Sequence, residues 1–281
     1  MRRPPGAGHG GGVGLVGVLA DLVLPLRCAV CNTPARGVSA CRSCLGVLAG
    51  AVPGPTRPEP APAGLPPCVT AATYDGAVRD LLLAFKERGE RTLAGPLGHA
   101  LARAIAAGAP PGCRHLVLVP VPTTAVAVRE RGGDHMAWLV AVAARTLRRA
   151  GWRVTVGRPL RARPRVDSTE LDRAGRARAA LDAFAPRRGW APAGQGSGRV
   201  VVVDDVITTG ATVAAVSALL RALGLAPSWA ASVAATRLRH PAGRAVGLPN
   251  GQAPNALDTS LLIPSFAANA KISGKWIWRE G

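Results

Sequence analysis

VVVVDDVITTGAT occupies residues 200–212. Four β-branched residues in a row predict a central strand. Two adjacent acids, Asp204 and Asp205, then appear at its carboxyl end. Thr208-Thr209-Gly210-Ala211-Thr212 supplies a hydroxyl-rich turn, and the apolar spacing of 211–223 predicts a helix. Gly210 lets the backbone reverse tightly, because no Cβ stands in the way. Strand, turn and helix in this order describe half of a βαβ unit.

The chain around this stretch repeats the alternation. CVTAATY (68–74), HLVLVPVP (115–122), 199–205 and WAASVAAT (229–236) read as strands. Val78, Leu81, Leu82 and Phe85 share one helical face after Asp75, and DHMAWLVAVAARTLRRA (134–150) reads as a helix capped by Asp134. Strand–helix alternation predicts an α/β fold: a parallel sheet with helices on both faces, plus a small four-cysteine module ahead of it. The expected organisation is a disordered Gly/Pro-rich start at 1–12, an amphipathic helix and metal module at 13–49, a spacer at 50–67, the α/β domain at 68–240, and an atypical tail at 241–281. Seven prolines in 50–67 predict an extended, semi-stiff linker that joins neither helix nor sheet. RPLRARPRVDS (158–168) reads as an arginine-rich loop.

A chain of 281 residues is long enough for one sizeable core and an appendage. With aromatics at 4%, alanine, valine and leucine must build that core. The net charge of +19 fits a nucleic-acid partner, but the arginines are scattered among alanine, glycine and proline, as in a GC-rich coding sequence. Base-stacking aromatics are not interleaved with them. No stretch reaches the roughly 20 apolar residues of a membrane span. Arg2 and Arg3 precede the apolar run 13–26, but Asp21 interrupts it and Arg27 occupies the place of a small cleavage-site residue. The expectation is a cytoplasmic protein with no membrane span.

The chemistry concentrates at the strand end. In a doubly wound sheet, ligands bind beyond the carboxyl ends of the strands. Outward N–H groups at the start of the following helix, its dipole and the threonine hydroxyls favour a phosphate. Carboxylates one step back repel phosphate but accept hydrogen bonds from sugar hydroxyls. A phosphate cradle beside a sugar clamp describes a 5-phosphoribosyl group. An ordinary capped turn explains one aspartate and one threonine, not the whole series. A Walker loop is excluded, because G-x-x-x-x-G-K-[ST] is nowhere in the chain.

CAVC (28–31) and CRSC (41–44) add C-x2-C-x9-C-x2-C. Two such pairs complete a tetrahedral thiolate site, which favours structural Zn²⁺ on Cys28, Cys31, Cys41 and Cys44. Two disulfides, or a redox C-x2-C, are the alternatives. Pro34 and Gly37 suit the reversal between the pairs. Cys68 and Cys113 read as buried apolar residues, and His99 and His115 as ordinary structural ones.

Residues 200–212 resemble the phosphoribosyl-pyrophosphate (PRPP) signature of type I phosphoribosyltransferases. YDGAVRDLLLAFKERGER (74–91), VLVPVP (117–122), RERGGDH (129–135), ALDAF (180–184) and the four-cysteine module follow in the order of the ComF family, the competence-associated phosphoribosyltransferase-like proteins. The resemblance implies a type I phosphoribosyltransferase-like fold. It assigns Asp204 and Asp205 to the ribose hydroxyls as the catalytic acids, and Thr208, Thr209, Gly210, Ala211 and Thr212 to the 5-phosphate. Val121, Arg129 and Arg131 fall near the pyrophosphate, with Mg²⁺ on the diphosphate. Arg161, Arg163 and Arg165 fall in a closing hood.

The family's common R-G-F-N-Q is here Arg131-Gly132-Gly133-Asp134-His135, and a glutamine near Thr169-Glu170 is replaced. The functions implied are binding of PRPP or a phosphoribosyl nucleotide linked to DNA uptake and competence, with single-stranded DNA and helicase or recombination proteins as partners. The alternatives are a nucleotide-salvage phosphoribosyltransferase, a pentosyl-transferring enzyme, and a nucleic-acid-binding adaptor with a vestigial pocket.

Overall fold

The computed structural model describes residues 26–163, 181–189 and 198–236. The expected disordered start, most of the amphipathic segment at 13–26, Arg165, Thr169-Glu170 and the tail at 241–281 lie outside the described residues.

Six strands form the main sheet: β1 (Gly54–Thr56), β2 (Cys68–Thr73), β3 (His115–Pro120), β4 (Arg153–Val156), β7 (Arg199–Ile207) and β8 (Pro227–Ala235). They are ordered β1-β2-β8-β7-β3-β4, and all neighbours are parallel except the β1–β2 pair. A separate two-stranded ladder joins β5 (Leu160–Ala162) to β6 (Phe184–Pro186). The helices are α1 (Arg42–Gly50), α2 (Gly76–Glu87), α3 (Ala94–Ala107), α4 (Ala125–Glu130), α5 (His135–Arg149) and α6 (Ala211–Ala222). None of the helices described is long and apolar enough to cross a membrane.

The valine run shows why both faces are covered. Side chains alternate across a strand. Val201 and Val203 therefore enter the core built by Leu81 and Phe85 of α2, Leu97 and Leu101 of α3, and Leu139 and Ala143 of α5. Val200 and Val202 enter the opposite core with Val213, Val216 and Leu220 of α6. β3 divides in the same way, with Leu116 and Leu118 on the first side and Val117 and Val119 on the second.

Two sequence expectations are corrected. The proline-rich stretch is not a free spacer: Gly54–Thr56 pairs antiparallel with β2 at the sheet edge, Pro55 opposite Val69. A three-residue edge strand tolerates proline because an edge position need not donate on both sides. Farther along, Leu65 and Pro58 pack against Gly210, where an added Cβ would lie 3.1–3.2 Å from them. The arginine-rich loop is also partly strand, since Leu160–Ala162 pairs with Phe184–Pro186.

The four-cysteine module is fused to the domain. Cys28, Ala40, Cys44 and Leu48 share the core of α2, α3 and α5. Arg103 of α3 donates to the carbonyls of Leu48 (3.3 Å) and Ala49 (2.7 Å) and to that of Ala51, so a guanidinium caps the carboxyl end of α1. The amide of Ser39 donates to Thr92 Oγ1 at 3.0 Å, and Arg88 donates to the carbonyl of Ala29 at 2.9 Å.

α3 has no counterpart among the predicted elements. Leu97, Leu101 and Ile105 recur at helical spacing and are buried, but Gly95, Pro96 and Gly98 crowd its first turn and argue for a loop. Gly98 lets α3 approach α5: a Cβ there would lie 2.5 Å from Val142 Cβ and 3.1 Å from the carbonyl of Leu139. Gly98→Val is expected to destabilise the protein by about 1–3 kcal/mol through overpacking, read as a lower urea midpoint. Val142→Ala should restore part of that loss, giving a non-additive double mutant.

Candidate functional site

Consecutive connections place the site. From β3 the chain passes through α4 and α5 to β4, on one side; from β7 it passes through α6 to β8, on the other. α5 and α6 cover opposite faces of the sheet. β3 and β7 are neighbours whose connections diverge, and such a switch point opens a crevice beyond their carboxyl ends. The acids, the threonine turn and the residues after β3 all lie at those ends.

At the end of β7, Gly210 occupies the N-cap position of α6 at φ +73°, a left-handed conformation that suits glycine. Having no side chain, it gives no side-chain cap to the first-turn amides. Thr208 and Thr209 are exposed and Ala211 and Thr212 half-buried. Thr209 Oγ1 lies at a long 3.4 Å from the Ala211 amide. The turn thus offers amides and hydroxyls at the positive end of a 12-residue helix.

The two aspartates are separated by the same alternation that splits the valines. Asp205 follows Val201 and Val203 to the α2–α5 side, where it is 5% exposed. Its Oδ2 lies 2.8 Å from Lys86 Nζ and 2.9 Å from His135 Nε2. Asp204 is half-buried, and its Oδ1 accepts from the Asp205 amide at 2.9 Å. The two carboxylates therefore have different partners.

Their proton affinities diverge. Burial, then the neighbouring Asp205 charge, raises Asp204 to about 8. Burial also works against ionised Asp205, but the His135 hydrogen bond and the Lys86 charge outweigh it and hold it at about 2.

Beyond β3, Val121 is buried and its amide donates to the Val203 carbonyl at 2.9 Å. Val121 itself extends the sheet, and Thr123 and Thr124 are the first residues past it with N–H groups. Thr124 caps α4 by accepting from the Ala127 amide at 3.2 Å. Asp134 caps α5, accepting from the Ala137 amide at 3.0 Å, and pairs with Arg158 at 3.0 Å. Arg129 is exposed, whereas Arg131 pairs with Glu87 at 3.1 Å. Gly133 stands where the resemblance expects an aromatic side chain. A Cβ there would meet Trp138 at 2.2 Å, so the tryptophan ring takes up that space.

Lys86 and His135 were not assigned a role from sequence. The available signal was parity along the strand, which turns Asp205 toward the helices that carry them. The cavity of about 440 Å³ lined by Ala29, Val30, Asp80, Leu83, Glu87 and Arg88 contains none of the strand-end residues.

The second candidate centre is the cysteine cluster. The sulfurs of Cys28, Cys31, Cys41 and Cys44 all lie within 4.8 Å of one another. Tetrahedral Zn²⁺ with Zn–S near 2.3 Å needs sulfurs separated by about 3.8 Å, so the four positions fit that ion. None of these cysteines is in a disulfide, and Cys31 and Cys41 sulfurs stand 3.5 Å apart, beyond bonding distance. Asn32, at φ +60°, closes the first knuckle, its backbone N–H donating to the Cys28 carbonyl at 2.8 Å. Cys41 is the N-cap of α1, and the Cys44 backbone hydrogen bond, with help from Thr33, lowers its thiol to about 6. A thiol that ionises readily is a ready metal ligand. Cys68 is buried, which pushes its thiol up to about 11, and Cys113 is half-buried; neither joins the cluster.

Comparison with known protein families finds no match to this chain, and comparison with curated proteins finds none either.

Elemental analysis is expected to find about one Zn²⁺ per chain, and Cys44→Ser to abolish it. A strong chelator should lower the melting temperature, because binding free energy is folding free energy in so small a module. The raised proton affinity of Asp204 also has a sign that can be checked. The native state keeps a proton that the unfolded chain releases near pH 4, so this contribution is present at low pH and fades as pH rises through about 8. Asp204→Asn should gain melting temperature relative to wild type between about pH 5 and pH 9.

Proposed function

We propose that the chain binds PRPP or a related 5-phosphoribosyl ligand in the crevice between β3 and β7. The observation that carries this reading is the glycine-capped start of α6 in the turn after β7, the strand that carries Asp204, at the sheet's switch point. The amides and hydroxyls of Thr208 to Thr212 would take the 5-phosphate. Asp204 would face the ribose hydroxyls. Asp205 would act behind it, as an anchor for Lys86 and His135. Thr123, Thr124 and Arg129 would face the diphosphate.

Mg²⁺ belongs with that diphosphate, where it would offset leaving-group charge. Among the described residues, the four cysteines are the group of histidine, cysteine or acidic side chains close enough to hold an ion by themselves. Displacement of pyrophosphate from the anomeric carbon would need no protein nucleophile, only charge stabilisation and exclusion of water.

The cysteine module ahead of the sheet favours the ComF-like branch, with a role in DNA uptake, over a nucleotide-salvage enzyme. Calorimetry with PRPP and Mg²⁺ tests the binding step. Wild type should bind, and Asp204→Asn should weaken binding by about tenfold or more above pH 8, where the Asp204 carboxylate is ionised and its hydrogen bond to a ribose hydroxyl is charge-assisted. No heat with wild type, or unchanged heat with Asp204→Asn, would end this reading. Pyrophosphate release with a panel of free bases would move the assignment to salvage. Single-strand DNA binding indifferent to PRPP would move it to an adaptor.

A further inference from the structure

Resting on the phosphoribosyl reading, we propose that Lys86 is a ligand-contacting cation of this site, shared between Asp205 in the free protein and the diphosphate in the bound one. Three facts converge on it.

The first is the donor arrangement. Lys86 and His135 both address one oxygen, Asp205 Oδ2, at 2.8 and 2.9 Å. Losing its sole partner would leave a buried carboxylate uncompensated, which is strongly unfavourable. Here His135 remains if the ammonium turns away, so Lys86 is releasable.

The second is access. The side chains of His135 and Asp205 are 7% and 6% exposed, whereas that of Lys86 is 24% exposed. Of the three, the lysine is the side chain that solvent reaches. It stands in the last turn of α2, against the carboxyl end of β7. An ammonium carries three N–H donors, so one can serve Asp205 while others meet an anion.

The third is residue choice. Lysine occurs only at 86, 271 and 275, against 35 lysines and arginines together. In a chain that otherwise uses arginine for its cations, position 86 holds the compact, freely rotating ammonium rather than the planar guanidinium. Of the neighbouring cations, Arg131 pairs with Glu87 at 3.1 Å and Arg158 with Asp134 at 3.0 Å, which leaves Lys86 beside the exposed Arg129 to meet a diphosphate.

The test compares PRPP, which carries the diphosphate, with ribose 5-phosphate, which lacks it. Lys86→Met should weaken PRPP binding by about tenfold to a hundredfold and leave ribose 5-phosphate affinity unchanged. Because that variant also strips a partner from Asp205, a second measurement uses wild-type protein. An amine-acylating reagent is followed by mass spectrometry, with Lys271 and Lys275 as internal references. PRPP with Mg²⁺ should slow acylation of Lys86 relative to those two, and ribose 5-phosphate should not. Equal loss of both ligands in Lys86→Met, or acylation that PRPP slows no more than ribose 5-phosphate does, overturns the assignment while leaving the phosphoribosyl reading standing. Wild-type protein that binds neither ligand removes both.

Discussion

A carboxylate as deeply buried as Asp205 persists in ionised form only where opposite charge and hydrogen bonds replace lost water. Lys86 from α2 and His135 from α5 supply both, and in doing so they tie two helices to the end of the central strand. The rest of the site inherits its geometry from this tie. α5 starts where His135 reaches Asp205, so Asp134 becomes its cap and lies beside Thr123 of the loop before α4. The hydrogen bond from the Val121 amide to Val203 closes the same corner from the sheet side.

The tie also divides labour between two residues that look equivalent. Asp205 spends its charge inside the protein. Asp204, half-buried, is raised by burial and by its ionised neighbour until it holds a proton near neutrality. Two like charges on adjacent residues do not ionise with equal ease, and the surroundings decide which one does. The strand end thus carries a weakly acidic Asp204, the positive end of α6 and a lysine side chain that is partly exposed.

The cysteine module and the proline-rich stretch bear on the same corner from outside. Arg103, Thr92 and Arg88 bind the module to the helical layer, and its buried cysteines join that core. Leu65 and Pro58 lie against Gly210, the residue that caps α6. The segment read as a spacer is thus part of the packing around the turn. A metal in the module would stabilise the layer on which α2, with Lys86, rests.

What the residues alone determined is the local part: strands where β-branched runs occur, helices where apolar residues recur with helical spacing, a turn at Gly210, and two cysteine pairs at metal-binding spacing. These depend on neighbours in sequence, so a linear reading captures them. α3 escaped it because Gly95, Pro96 and Gly98 in its first turn outweigh Leu97, Leu101 and Ile105 at helical spacing, and only packing shows that Gly98 lets α5 come close. The edge strand at Gly54–Thr56 escaped it because prolines argue for an extended linker, and only β2 supplies the pairing. Adjacent aspartates suggest a joint clamp on paper. Only Asp205 is held by Lys86 and His135, and that difference is set by packing between distant segments.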